Sequence, residues 1–106
     1  MNFDIAGSTT KVTAIGNRSE SDQVYEIASG SLHAIGTNMS TSTTTDTVFA
    51  NITGGKVLLD TCYLNANTGQ AGISEITGNG GELYMRGCRT ETGYLDNYSG
   101  TVVQDI

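Results

Sequence analysis

A doubled phrase constrains this chain more than any other feature. "GGKVLLDTCYL" at residues 54–64 is answered by "GGELYMRGCRT" at residues 80–90, with paired glycines, a strand-like run and a cysteine at matching places. Extending the match gives five segments in one register: "KVTAIGNR" from Lys11, "SLHAIGTN" from Ser31, "KVLLDTCY" from Lys56, "ELYMRGCR" from Glu82 and "TVVQDI" from Thr101. The second position is always a branched aliphatic, Val12, Leu32, Val57, Leu83 and Val102, at intervals of 20, 25, 26 and 19 residues. The fourth is mostly small or apolar: Ala14, Ala34, Leu59, Met85, then Gln104. The first is polar throughout. Apolar residues at alternate positions mark a half-buried strand.

A second run and a glycine turn precede each of the later segments: "VYEIASG", "VFANITGG", "ISEITGNGG" and "YLDNYSG". In these runs Ile27, Ile52, Ile76 and Tyr98 fall into one column, and Val24, Phe49, Ile73 and Leu95 into another. A polar column of Glu26, Asn51, Glu75 and Asn97 lies between. A third, variable stretch completes each unit; the longest is "TNMSTSTTTDT" at residues 37–47, and its pattern does not decide between strand and loop. A unit of 19–26 residues with two short strands and no helical period cannot bury its apolar face alone. Stacked units can, because equivalent strands then pair about 4.8 Å apart and like residues fall into columns. The absence of proline, which would delete a ladder donor, and a charged fraction of only 15% fit a chain made of paired strands. Leucine-rich, hexapeptide and propeller repeats are excluded by signature and period. The predicted fold is all-β, a single-stranded parallel β-helix of four to five rungs. Residues 11–106 form that domain, and residues 1–10 are an N-terminal segment or cap.

Over residues 12–106 the rung pattern resembles the parallel β-helix (pectate-lyase-like) family, above all the β-helical parts of bacteriophage tailspikes and related virion appendages. The resemblance implies a right-handed helix. It also implies a homotrimer located in a virion assembled in the host cytoplasm, with other virion proteins or a bacterial surface polysaccharide as partners. Family members bind or cleave such polysaccharides, but fold alone does not fix function.

Composition narrows the partners. Net charge is −6 with five Lys and Arg, which disfavours nucleic acid and anionic membrane surfaces. No apolar run is long enough for a membrane-spanning helix, and "MNFDIAGSTT" is not a secretory signal. No cofactor or metal motif occurs; "GNGG" at residues 78–81 is a turn, without the Lys-Ser/Thr and helix of a phosphate loop.

The columns also supply the candidate functional residues. Position five places Arg86 between Asp60 and Asp105, and position one pairs Lys56 with Glu82. Cross-rung salt bridges on a solvated face are the expectation there, and a sugar site is the sharper alternative. Position three should face outward, yet it reads Thr13, His33, Leu58, Tyr84 and Val103. An outward apolar stripe at His33, Leu58, Tyr84 and Val103 reads as a subunit interface, unless a strand bend turns some of these inward. His33, the only histidine, reads as packed rather than catalytic. Cys62 and Cys88 share a column and are predicted to be free thiols, since strand spacing exceeds the Cβ separation a disulfide prefers.

Catalysis would need two carboxylates across a glycosidic bond, about 5–9.5 Å apart. Glu26 and Glu75, two rungs apart, are the one pair on offer; Asp96 has nothing to pair with. No catalytic residue is assigned. The C-terminal "VVQDI" has no evident cap, so continuing chain or a partner is expected to cover it. The expected function is a non-catalytic structural or adhesion module of a phage appendage. A small capsid decoration protein and a polysaccharide depolymerase fragment are the alternatives.

Overall fold

The computed structural model describes residues 3–16, 18–19, 25–40, 50–65, 76–90, 95 and 97–104. In chain order the strands are β1 (Phe3–Ile5), β2 (Lys11–Ile15), β3 (Arg18–Ser19), β4 (Tyr25–Ile27), β5 (Ser31–Ile35), β6 (Asn38–Ser40) and β7 (Ala50–Ile52). They continue as β8 (Lys56–Asp60), β9 (Tyr63–Asn65), β10 (Ile76–Gly78), β11 (Glu82–Arg86), β12 (Arg89–Thr90), β13 (Asn97–Tyr98) and β14 (Thr101–Gln104). Among the described residues there is no helix. The molecule is all-β, with three parallel sheets. The first sheet is ordered β1-β4-β7-β10-β13, the second β2-β5-β8-β11-β14, and the third β3-β6-β9-β12. The chain therefore visits the three sheets in turn, and each strand pairs with the one three places on.

The second sheet has the register that the sequence columns predict. Val12, Leu32, Val57, Leu83 and Val102 lie side by side across all five strands. Burial follows parity. Leu32, Ala34, Val57, Leu59 and Leu83 are at most 1% exposed, and their strand neighbours at positions one, three and five are open to solvent to varying degrees. Ile5, Ile27, Ile52 and Ile76 from the first sheet, and Leu64 from the third, complete one core. Each fully buried aliphatic of this kind contributes about 1.5–3 kcal/mol.

Two corners hold each unit in place. Gly30, Gly55 and Gly81 precede the second-sheet strands with φ of 81°, 74° and 71°. A Cβ on Gly81 would sit 2.7 Å from the Gly54 carbonyl oxygen, so the unit below leaves no room for a side chain. At the far end Gly16, Gly36, Thr61 and Gly87 share a column, with φ of 68°, 66°, 56° and 63°. Their N–H groups bond upward: Gly16 to Ile35 O, Gly36 to Asp60 O and Thr61 to Arg86 O, at 2.8–2.9 Å.

The structure departs from the sequence reading in two places and decides a third that the pattern left open. Phe3–Ile5, set apart above as a segment or cap, is the first strand of the first sheet and pairs with Tyr25–Ile27. Five residues lie between Ile5 and β2, where the next three units have three, which hid the match. The variable third stretch contributes the strands of the third sheet. Finally, Ile76 pairs with Ala50, not Ile52, and Thr77 with Asn51. Gly78 then stands in register with Tyr98. Ile27, Ile52 and Gly78 each end a first-sheet strand three residues short of the second-sheet strand, and this spacing, not the likeness of isoleucine to isoleucine, sets the register. Val24, Phe49, Ile73 and Asp96 lie outside the described residues.

Candidate functional site

The outer face of the second sheet gathers most of the residues singled out by sequence. Thr13, His33, Leu58, Tyr84 and Val103 are direct neighbours along one column. Thr13 is exposed and the other four are half-buried, while the flanking Val57, Leu59 and Leu83 are fully buried. The alternation holds from β2 to β11, so the column stays on the outside there; in β14, Val102 and Val103 are alike half-buried. A shallow hollow of about 290 Å³ lies on this face among His33, Lys56, Leu58 and Tyr84.

Sequence reasoning missed two members of the same face. Ile15 is 71% exposed and Ile35 is half-buried; they occupy position five beside Thr13 and His33. Their parity was legible, because positions one, three and five all point the same way. Together they widen the apolar stripe at the β2 and β5 end of the sheet.

Ion pairs border the stripe. Arg86 Nη2 donates to Asp60 Oδ2 at 2.6 Å, and Lys56 Nζ lies 3.7 Å from Glu82 Oε2. Asp105, the third member of the expected stack, lies outside the described residues. The Arg86 guanidinium, followed by the Thr61 hydroxyl, holds the Asp60 carboxyl below the usual aspartate range. The same pairing holds the Arg86 guanidinium above its own. His33 Nε2 is buried without a hydrogen-bond partner, and Asp60 Oδ2 is 3.7 Å away, a separation suited to a charge contact but too long for a hydrogen bond.

The first sheet carries a polar outer column of Asp4, Glu26, Asn51, Thr77 and Asn97. Asn51 Nδ2 donates to Glu26 Oε2 at 3.2 Å, and Thr77 Oγ1 donates to Asn51 Oδ1 at 3.0 Å. Thr77 occupies the place that the sequence reading assigned to Glu75, and Glu75 itself lies outside the described residues. The carboxylate pair two units apart is thereby replaced by a ladder of amide and hydroxyl groups. Such a ladder ties strands together.

Cys62 and Cys88 are both free thiols. Among the described residues no group of three or more His, Cys, Asp or Glu side chains is placed to hold a metal ion. Among them, too, no helix is long and apolar enough to cross a membrane. No protein-family model, curated protein or solved structure matches this chain.

Proposed function

We propose that this chain is a non-catalytic structural and adhesion module of a phage virion. It is built as a right-handed single-stranded parallel β-helix and assembles as a homotrimer through the outer face of its second sheet. Support for the winding comes from the three parallel sheets, whose strands recur in a fixed cycle, and from the right-handed preference of parallel crossovers. The observation that carries the assembly is the apolar stripe at Ile15, Ile35, Leu58, Tyr84 and Val103. A continuous outward stripe of this kind is unusual on a monomer.

Charge supports the same face. The chain carries −6, yet the described part of this face sets Lys11, Lys56 and Arg86 against only Asp60 and Glu82. The acidic excess therefore lies elsewhere, and copies meeting here avoid most of their mutual repulsion. The phage setting rests on the resemblance of the repeat to tailspike rungs. Host-surface polysaccharide is the partner that setting implies.

Light scattering on the purified chain at micromolar concentration tests the assembly. The expected mass is three times the 11.1 kDa chain. Leu58→Asp, outward and away from the core, is expected to give a folded monomer. A wild-type monomer, or a trimer unaffected by Leu58→Asp, contradicts the interface. Release of reducing ends from a panel of capsule and O-antigen polysaccharides would contradict the non-catalytic reading.

A further inference from the structure

Cys62 and Cys88 follow the left-handed corner residues Thr61 and Gly87 in consecutive units. The next residues, Tyr63 and Arg89, are in register on β9 and β12, and Arg89 N–H donates to the Cys62 carbonyl oxygen at 2.8 Å. The two cysteines are therefore stacked at strand spacing, about 4.8 Å, within the Cα separations that disulfides span. A disulfide needs the Cβ atoms about 1 Å closer than ideal strand spacing, and both cysteines sit where the chain is turning, outside the β9–β12 ladder.

The two sulfurs differ in setting. Cys62 is 2% exposed and its Sγ lies 3.3 Å from the Ala34 carbonyl oxygen. The Cys88 contact and burial push its thiol up. Cys88 is half-buried at the surface and lies 3.2 Å from the Leu59 carbonyl oxygen. The neighbouring Cys62 lowers the Cys88 thiol to about 6. A reachable sulfur thus has a second, protonated sulfur directly beneath it. Neither takes part in the outer face of the second sheet.

We propose that Cys88 and Cys62 form a hydroperoxide-reactive dithiol, in which Cys88 is the attacking sulfur and Cys62 the resolving one. The Cys88 thiolate attacks the terminal oxygen of a hydroperoxide. An S–O bond forms and the O–O bond breaks; the leaving oxygen takes a proton from solvent and departs as water or an alcohol. Cys88 is then a sulfenic acid. The Cys62 sulfur attacks it, an S–S bond forms, and the sulfenic hydroxyl leaves as water with the Cys62 proton. Two thiols lose two electrons and the hydroperoxide gains them. The product clips two neighbouring units together across the 25 residues between the cysteines. Two thiols that merely fill space would both survive peroxide without forming a bond to each other.

The test uses the reduced full chain and hydrogen peroxide, followed by thiol titration, intact mass and peptide mapping. Wild type is expected to lose both thiols together, drop in mass by two hydrogens, and yield a crosslinked peptide joining residues 62 and 88. Cys62→Ser is expected to stop at a sulfenic acid trapped by dimedone on Cys88. In wild type, brief alkylation with iodoacetamide is expected to label Cys88 at least about tenfold faster than Cys62; this comparison needs no variant to fold. Retention of both thiols after peroxide, crosslinks only between chains, or faster labelling of Cys62 would overturn the proposal.

Discussion

Thr61 is where the repeat breaks its own rule. Three units place glycine at the corner after the second-sheet strand, and this one places a β-branched residue there with φ of 56°. Left-handed backbone at a non-glycine residue costs about 1–3 kcal/mol. Thr61 recovers part of this through its hydroxyl, which donates to Asp60 Oδ1 at 3.1 Å. Glycine would remove the strain but cost about 0.5–1 kcal/mol in unfolded-chain entropy. Thr61→Gly is therefore expected to stabilise the fold by up to about 1 kcal/mol, read as a higher urea midpoint at unchanged slope. The opposite change, Gly87→Thr, is expected to lower it. A lower midpoint for Thr61→Gly would mean that the hydroxyl's grip on Asp60 outweighs the strain. This corner was half-legible: three glycines in a column announce a positive φ, but no local signal says that threonine obeys it too.

Between elements, the pairing of β8 with β11 brings Asp60 under Arg86. The Asp60 carboxyl is held below the ordinary aspartate value near 3.8, first by the Arg86 hydrogen bonds. A depressed folded-state pKa adds stability that is present above the unfolded value and lost as pH falls through the folded one. Asp60→Asn is thus expected to be less stable than wild type at neutral pH. The gap should narrow below about pH 4 and close as Asp60 protonates, and salt should shrink it because the pair is exposed. Unfolding midpoints across acid pH check this, and a gap that persists undiminished at the lowest pH would refute it. The pair was readable in sequence because both residues fall at position five of adjacent segments. The first sheet was less readable. Counting four residues back from Glu82 leads to Gly78, yet the apolar match of Ile76 to Ile52 is locally more persuasive. The column that results sets Tyr25, Ala50 and Ile76 side by side, large, small and large, a packing choice that only neighbouring units can make.

At the scale of the molecule, every strand pairing among the described residues joins residues about 19–26 apart in the chain, and none of these is a hairpin. Loop closure must precede each rewarding contact, so refolding is expected in milliseconds to seconds. With no proline in the chain, a slow isomerisation phase of tens of seconds is not expected. Stopped-flow tyrosine fluorescence at low protein concentration tests both points; microsecond refolding would show that local contacts dominate. The sequence by itself determined the all-β class, the five strands of the second sheet with their register, and the outward parity of Leu58 and Tyr84. Those properties repeat in every unit, so five copies of a weak signal reinforce one another. Only the tertiary structure decided that Phe3–Ile5 belongs to the first sheet, that Thr77 displaces Glu75 from the polar column, and that Cys62 lies buried beneath a more open Cys88. Each of these depends on what one unit meets in the next, across about 4.8 Å of space and some twenty-five residues of chain, where local pattern carries no information.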